Sequence, residues 1–193
     1  MRSDLCESGL AIRAERLYND EECNMAYFGQ LIYAIPGCAE GTDMAHCFYG
    51  WERADVPALT NEYPGVHTPV ELYDALTHVW CAETCAPRMR GAWCADNPTL
   101  GQCSITAFLV QDIFGGEVYG VPLKDGGFHC FNCVNGRCFD LTSEQFGDAR
   151  LRYGTDHPQL REVHFAKREK RIRYEYLRAS LKAHLKCAQA PEA

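Results

Sequence analysis

No apolar run in this chain approaches the ~20 residues needed to cross a bilayer, and the opening MRSDLCESGL lacks the apolar core of a secretory leader. Both absences point to a cytoplasmic protein with no membrane partner. The chain has no internal repeat and no low-complexity tract. It also lacks the paired CxxC…CxxC spacing that would be strong evidence for zinc, and no aromatic-and-basic motif of a nucleic-acid module is present. What remains is an ordinary globular composition over 193 residues, 47% hydrophobic and 23% charged. That length allows one domain with a sizeable core, or a domain plus an extension.

Cysteine is the exception to this plainness, with twelve residues. In a reducing cytoplasm these are free thiols, metal ligands or catalytic groups rather than a disulfide framework. The net charge of −7 is unevenly spread, since residues 161 to 186 hold nine Lys or Arg against three Glu. Tyr174, Leu177, Leu181 and Leu185 recur there at helical spacing, which predicts a helix lying on an acidic body rather than a nucleic-acid surface.

Along the chain, Met25, Phe28, Leu31 and Ile35 predict a helix within 10–35 that stops at Pro36-Gly37. Residues 36 to 66 carry many turn formers and no clear period, and NEYPGVHTP is the best linker. Thr68 as N-cap, Pro69 at the first helical position and Glu71 as the capping-box acid announce a helix that should fail by Pro87. A second helix carries Ile105, Phe108, Leu109 and Ile113 and stops at Gly115-Gly116. The period then alternates. EVYGVPL reads as a strand, KDGG as a turn, and FHCFNCV-NG-RCFDLT as a hairpin on an Asn-Gly turn. Thr142 or Ser143 caps a short turn over SEQF, and the basic helix closes the chain.

A two-residue turn at Asn135-Gly136 pairs Cys133 with Cys138 and puts His129, Phe131 and Asp140 on one face. His129 and Asp140 are then diagonal neighbours, at the ~7–8 Å scale an imidazole and a carboxylate bridge. Cys103 falls in the first turn of its helix, where free N–H groups favour a thiolate. Such a thiolate is a nucleophile, a histidine can take its proton, and an acid on the other ring nitrogen sets the tautomer. A helix-start Cys, a strand His and a next-strand Asp form the layout of papain-like and transglutaminase-like cysteine enzymes, and the local GQC is similar to the transglutaminase nucleophile motif. Oxyanion donors are the Cys103 N–H together with either Gln102 or the Trp93 indole. Asn132 rivals Asp140 for orienting His129, although alternation puts it on the opposite face.

The stretch ELYDALTHVWCAETC…NPTLGQCSITAFLVQDIFGGEVYG…FHCFNC…NGRCFDLTSEQFG resembles the YunG-like family of uncharacterised bacterial proteins. The likeness runs over roughly residues 70 to 180: Trp80 and the Glu83-Thr84 pair, the GQC helix from 101 to 116, then HCFN and DLTSEQF. It implies a small α+β, papain-like fold with Cys103, His129 and Asp140 at the shared motif positions, and it implies no particular reaction. Family members typically carry an aromatic residue at the position of Cys130 and non-cysteine residues at those of Cys133 and Cys138.

Zinc is the rival chemistry. On one long helix His78, Cys81 and Cys85 share a face, and Cys94 follows nine residues on, making a Cys₃His set. His129, Cys130, Cys133 and Cys138 have knuckle-like spacing, but alternation splits them between faces. Cys133 and Cys138 are expected as two thiols.

The sequence therefore predicts an α+β protein: a small antiparallel sheet packed on a nucleophile-bearing helix, with residues 1–66 a helical N-terminal extension and 67–193 the papain-like domain. The expected activity is that of a thiol-dependent hydrolase or acyl-transferase acting on a peptide or other amide-containing substrate, without a cofactor. The competing expectation is a non-catalytic binding module of the same fold, with or without a structural zinc.

Overall fold

The computed structural model describes residues 46–124 and 126–189. The helix expected within 10–35 lies outside them. Helix α1 is Pro69–Thr77 and begins as its sequence dictates. The Thr68 hydroxyl accepts from the Glu71 N–H, the Glu71 carboxylate accepts from the Thr68 N–H at 2.8 Å, and Pro69 opens the first turn. The helix ends at Thr77, however, well short of Pro87. Two side chains compete with its continuation. Trp80 turns its indole inward to donate to the Thr106 hydroxyl at 3.1 Å. The Thr84 hydroxyl accepts from the Cys81 N–H at 2.9 Å and donates to the Cys81 carbonyl at 2.9 Å.

Helix α2, Cys103–Phe114, is buried almost all round: Ile105, Phe108, Leu109 and Ile113, but also Ala107 and Val110. It is the central helix, packed against the sheet on one side and the C-terminal helix on another. Gly115, at φ 74°, ends it. The sheet is antiparallel, in the order β1 (Glu117–Pro122), β2 (Phe128–Val134), β3 (Arg137–Phe139). Asn135 and Gly136, at φ 50° and 76°, form the two-residue turn that positive dihedrals at both positions define. It pairs Val134 with Arg137, Cys133 with Cys138 and Asn132 with Phe139, the register read from the sequence. Strand β3 is shorter than RCFDLT because Asp140 leaves β2 and bonds its N–H to the Tyr49 carbonyl at 2.9 Å. A 3-10 turn over Ser143–Phe146 follows. Helices α3 (Arg161–Phe165) and α4 (Arg168–Ala188) close the described chain. Tyr174, Leu177, Leu181 and Leu185 are the buried stripe of α4, as the spacing requires.

Residues 46–66 are part of the folded unit, because Phe48, Ala54, Val56, Tyr63 and Val66 are buried in the same core as α2 and α4. Cys133 and Cys138 are joined by a disulfide instead of standing as two thiols. The hairpin register alone brings their β-carbons opposite one another, so nothing else in the fold has to move to bridge them. No described helix is long and apolar enough to cross a membrane.

Arg173 ties α4 to the chain that leads into α2. It is buried, with Nε donating to the Thr84 carbonyl at 2.8 Å and Nη2 to the Gly101 carbonyl at 2.8 Å. Replacing it by methionine keeps the apolar stem but strips a donor from both carbonyls. Equilibrium urea unfolding should show a loss of about 2–3 kcal/mol. A loss within about 0.5 kcal/mol would mark Arg173 as an ordinary surface-type position.

Candidate functional site

Three segments converge at the start of α2. The first is the loop ending in Gly101-Gln102. Gly101 has φ 71°, and a β-carbon there would meet the Cys85 sulfur at 2.7 Å and the Ala86 nitrogen at 3.0 Å, so only glycine fits. Its carbonyl accepts from Ala86 N–H at 3.0 Å as well as from Arg173. This delivers Cys103 as the first residue of a twelve-residue helix whose N-cap, Gln102, makes no side-chain cap. The first-turn N–H groups are therefore not capped by a side chain, and Cys103 is partly exposed.

The second segment is the β2–β3 hairpin. The imidazole of His129 is buried, and its Nε2 lies 2.5 Å from Asp140 Oδ2, the diagonal contact its register predicts. An ionised carboxylate can only accept, so Nε2 carries the proton and Nδ1 is the nitrogen left over. Nδ1 is buried and has no hydrogen-bond partner in the protein. Phe146 packs edge-on against the ring at 4.7 Å and 86°.

The third segment is the turn after Asp140. Asp140 Oδ1 accepts from the Thr142 N–H at 2.9 Å and the Thr142 hydroxyl at 3.0 Å, while Tyr153 donates to Oδ2 at 2.9 Å. With His129 that makes four donors on one buried carboxylate, which meets the condition for burying a charge. Gln145 joins this turn to the cysteine loop, donating from Nε2 to the Thr142 carbonyl at 2.7 Å and accepting from the Gly101 N–H at 3.3 Å.

The electrostatics follow from these contacts. A hydrogen bond from the Cys130 thiol, opposed by burial and reinforced by the neighbouring imidazole, holds the Cys103 thiol well below the ordinary thiol range. Burial pulls His129 down, but the charge and hydrogen bond of Asp140, with Cys103 beside it, outweigh that and raise it to about 10. Both shifts act in favour of a thiolate beside an imidazolium. It is lost upward as His129 deprotonates near 10, and downward only as the depressed thiol takes up its proton.

Other residues singled out by sequence do different work. Gln102 donates from Nε2 to the Cys81 carbonyl at 3.1 Å, and its Oε1 is buried without a partner. The Trp93 indole donates to the Pro98 carbonyl at 3.1 Å. Asn132 donates to the Ala107 carbonyl at 2.8 Å and holds β2 on α2, on the face away from His129. His78 stacks on His184 at 5.0 Å, Cys85 is buried beneath Gly101, and Cys94 is exposed. The shared helix face proposed for His78, Cys81 and Cys85 does not exist, because α1 has ended before Cys81. No group of three or more His, Cys, Asp or Glu among the described residues is placed to hold a metal ion. The knuckle-like set is taken apart by the Cys133–Cys138 bridge and the His129–Asp140 contact. Sequence reasoning missed Tyr153, Gln145 and Arg173 as positioning residues. Gln145 lay in the quoted DLTSEQF stretch, whereas nothing local marks a tyrosine thirteen residues beyond Asp140 or an arginine on a basic helix.

The model of the YunG protein family matches residues 68–186. The chain is 36% identical over 94 residues to the uncharacterised protein YunG of Bacillus subtilis (strain 168), an alignment covering 48% of this chain and 77% of that protein. No solved structure matches the chain.

At pH 6, iodoacetamide should alkylate Cys103 roughly tenfold or more faster than the exposed Cys94 or Cys187, read peptide by peptide in the mass spectrometer. Asp140→Asn removes the charge that sustains the imidazolium and should slow Cys103 at that pH by about tenfold. Equal rates at all three cysteines in the native protein would show that no thiolate is stabilised.

Proposed function

The chain belongs to the YunG family, and from that premise we propose that it is a thiol-dependent hydrolase or acyl-transferase with a papain-like helix-on-sheet arrangement. The observation that carries the reading is His129: one ring nitrogen held by Asp140 at 2.5 Å, the other buried and unpartnered, with a helix-start cysteine beside it. A histidine fixed only for packing has no need of a charged, fully coordinated carboxylate behind it.

In the reaction this supports, the Cys103 thiolate attacks the carbonyl carbon of an amide or related acyl bond. A carbon–sulfur bond forms, and the carbonyl electrons move to oxygen. That oxyanion meets the Cys103 N–H at the uncapped start of α2. Gln102 and Trp93, with donors already engaged at Cys81 and Pro98, are not assigned as its second donor. As the tetrahedral species collapses, His129 gives its Nδ1 proton to the leaving amine, which departs and leaves a thioester. His129, now neutral, takes a proton from water or from an acceptor amine, which attacks the thioester and restores the thiolate. Asp140 keeps the proton on Nε2 throughout and steadies the imidazolium each time it forms. Tyr153 and Thr142 hold Asp140, so they are positioning residues.

The family's uncharacterised relative supplies no substrate, so the test starts from activated acyl groups. Intact-mass spectrometry of the protein with a p-nitrophenyl ester panel should reveal a thioester at Cys103 that decays with turnover. Cys103→Ala should abolish it, and His129→Ala should reduce turnover by about a thousandfold. Acylation of Cys103 no faster than of Cys187, with no deacylation, would contradict the proposal and favour a binding role for the fold.

A further inference from the structure

Of the described lysines and arginines that are not exposed, Arg161, Arg173, Arg178 and Lys182 each stand against a carboxylate. Lys170 is different: among the described residues, no carboxylate forms an ion pair with its half-buried ammonium. Glu169, the acid beside it in the chain, is bridged to Arg173 at 3.4 Å. The partner of Lys170 is a histidine. Its Nζ lies 2.9 Å from His164 Nδ1, His164 Nε2 lies 3.0 Å from Gln159 Oε1, and Gln159 Nε2 donates to the His157 carbonyl at 3.1 Å. That last bond orients the amide, so Gln159 Oε1 accepts from His164 Nε2–H and Nδ1 accepts from the ammonium. His164 is thus held neutral in one tautomer, in keeping with the burial and Lys170 charge that pull it down to about 4. A neutral ring can hold the ammonium in place but cannot balance its charge.

This relay is anchored at both segments that carry the reactive pair. At one end Gln159 is laid over β1, its N–H donating to the Val118 carbonyl at 2.8 Å. A β-carbon on Gly120 would meet Gln159 Nε2 at 2.6 Å and the Phe128 β-carbon at 2.8 Å, so the amide stands by the residue that precedes His129. In the middle, the His164 ring packs on Phe108 of α2 at 5.0 Å. At the other end Arg173, one turn on from Lys170 along α4, donates to the Gly101 carbonyl two residues before Cys103. Lys170 is thereby held between the loop that delivers Cys103 and the strand start that delivers His129.

We propose that Lys170 is an anion subsite of the Cys103 site, recognising a carboxylate on the substrate, so that the preferred acyl donor carries a free carboxylate. The ammonium N–H groups not engaged by His164 donate to that carboxylate, whose charge supplies the partner the fold withholds. A phosphate dianion would call for a second cation, and Arg173, one turn away, is committed to the Thr84 and Gly101 carbonyls. His164 and Gln159 hold the ammonium and are positioning residues. The effect on turnover rests on Cys103 being the nucleophile of the proposed reaction; anion binding at Lys170 does not.

The test compares mono-4-nitrophenyl esters of glutaric and adipic acid with their methyl-capped, uncharged counterparts, on the full chain and with the uncatalysed rate subtracted. The wild type should favour the free carboxylate by about tenfold or more in kcat/KM, the effect of one hydrogen bond to a charged group. Lys170→Met should bring that ratio near one and Lys170→Arg should restore much of it. Arg171→Met, which removes an equal charge from an exposed neighbour, should leave the ratio high. In parallel, glutarate should slow iodoacetamide alkylation of Cys103 saturably in the wild type and not in Lys170→Met, a readout that needs no turnover. The wild-type ratio and the wild-type protection are decisive even where a variant folds poorly. Turnover at Cys103 with equal kcat/KM for charged and capped esters, and no protection by glutarate, overturns the subsite and leaves the hydrolase reading standing. Protection that depends on Lys170, without turnover of any ester, upholds the subsite and overturns the hydrolase reading. Neither turnover nor protection overturns both.

Discussion

His129 is shut inside the protein, and what makes that position tenable is the carboxylate of Asp140 accepting its Nε2 proton at 2.5 Å from the next strand. Burial acts to strip the ring of its charge, and Asp140 more than restores it. The chemistry proposed for the site depends on that contact. It fixes which nitrogen carries the permanent proton, leaves the other nitrogen for the sulfur, and supplies the positive partner that a thiolate needs in a partly buried place. Asp140 itself is tolerable in the interior only because Thr142 and Tyr153 complete its coordination.

The contact is inherited from a two-residue turn. Asn135-Gly136 sets the register of β2 against β3, and a slip by one residue would send His129 and Asp140 to opposite faces. The cysteine arrives by a separate route, through Gly101, whose positive φ no other residue adopts without colliding with Cys85. Gln145 couples the two routes, and Arg173 anchors the second to α4. The motifs that carry the resemblance also surround the site: Trp80 bonds Thr106, Thr84 closes a turn that Arg173 grips, and DLTSEQF contains Asp140, its local donor Thr142, the bridging Gln145 and the ring-packing Phe146.

Where the physics is local, these features could be read from the amino acids alone. The capping box at Thr68, the turn at Asn135-Gly136, the apolar period of α2 and the stripe on α4 each depend on neighbours a few residues apart, and each stands in the structure as its pattern requires. The diagonal of His129 and Asp140 was legible for the same reason. Where distant groups decide, the reading went astray. Helix α1 stops at Thr77 because Trp80 prefers Thr106, twenty-six positions away, and with that stop the helical face carrying the zinc set vanishes. The 36–66 segment has no period of its own, yet its Phe48, Val56, Tyr63 and Val66 are core residues, since aperiodic chain can still fill a cavity left by helices and sheet. Tyr153 reaches Asp140 across thirteen residues with no helical or strand period to announce it. The Cys133–Cys138 bridge was placed correctly by register but expected as thiols, because compartment rather than geometry governed that expectation.

The central claim is that Cys103 is a thiolate paired with the His129 imidazolium near neutral pH. Thiolate ultraviolet absorbance, recorded for the wild type minus Cys103→Ser from pH 4 to 9, measures it directly and without a substrate. The account predicts a difference signal that persists well below the ~8.5 of a free thiol and vanishes in a single acid-side step. A difference signal that appears only at or above ~8.5 would mean that His129 and Asp140 do not ionise Cys103, and the site as described here would be inert.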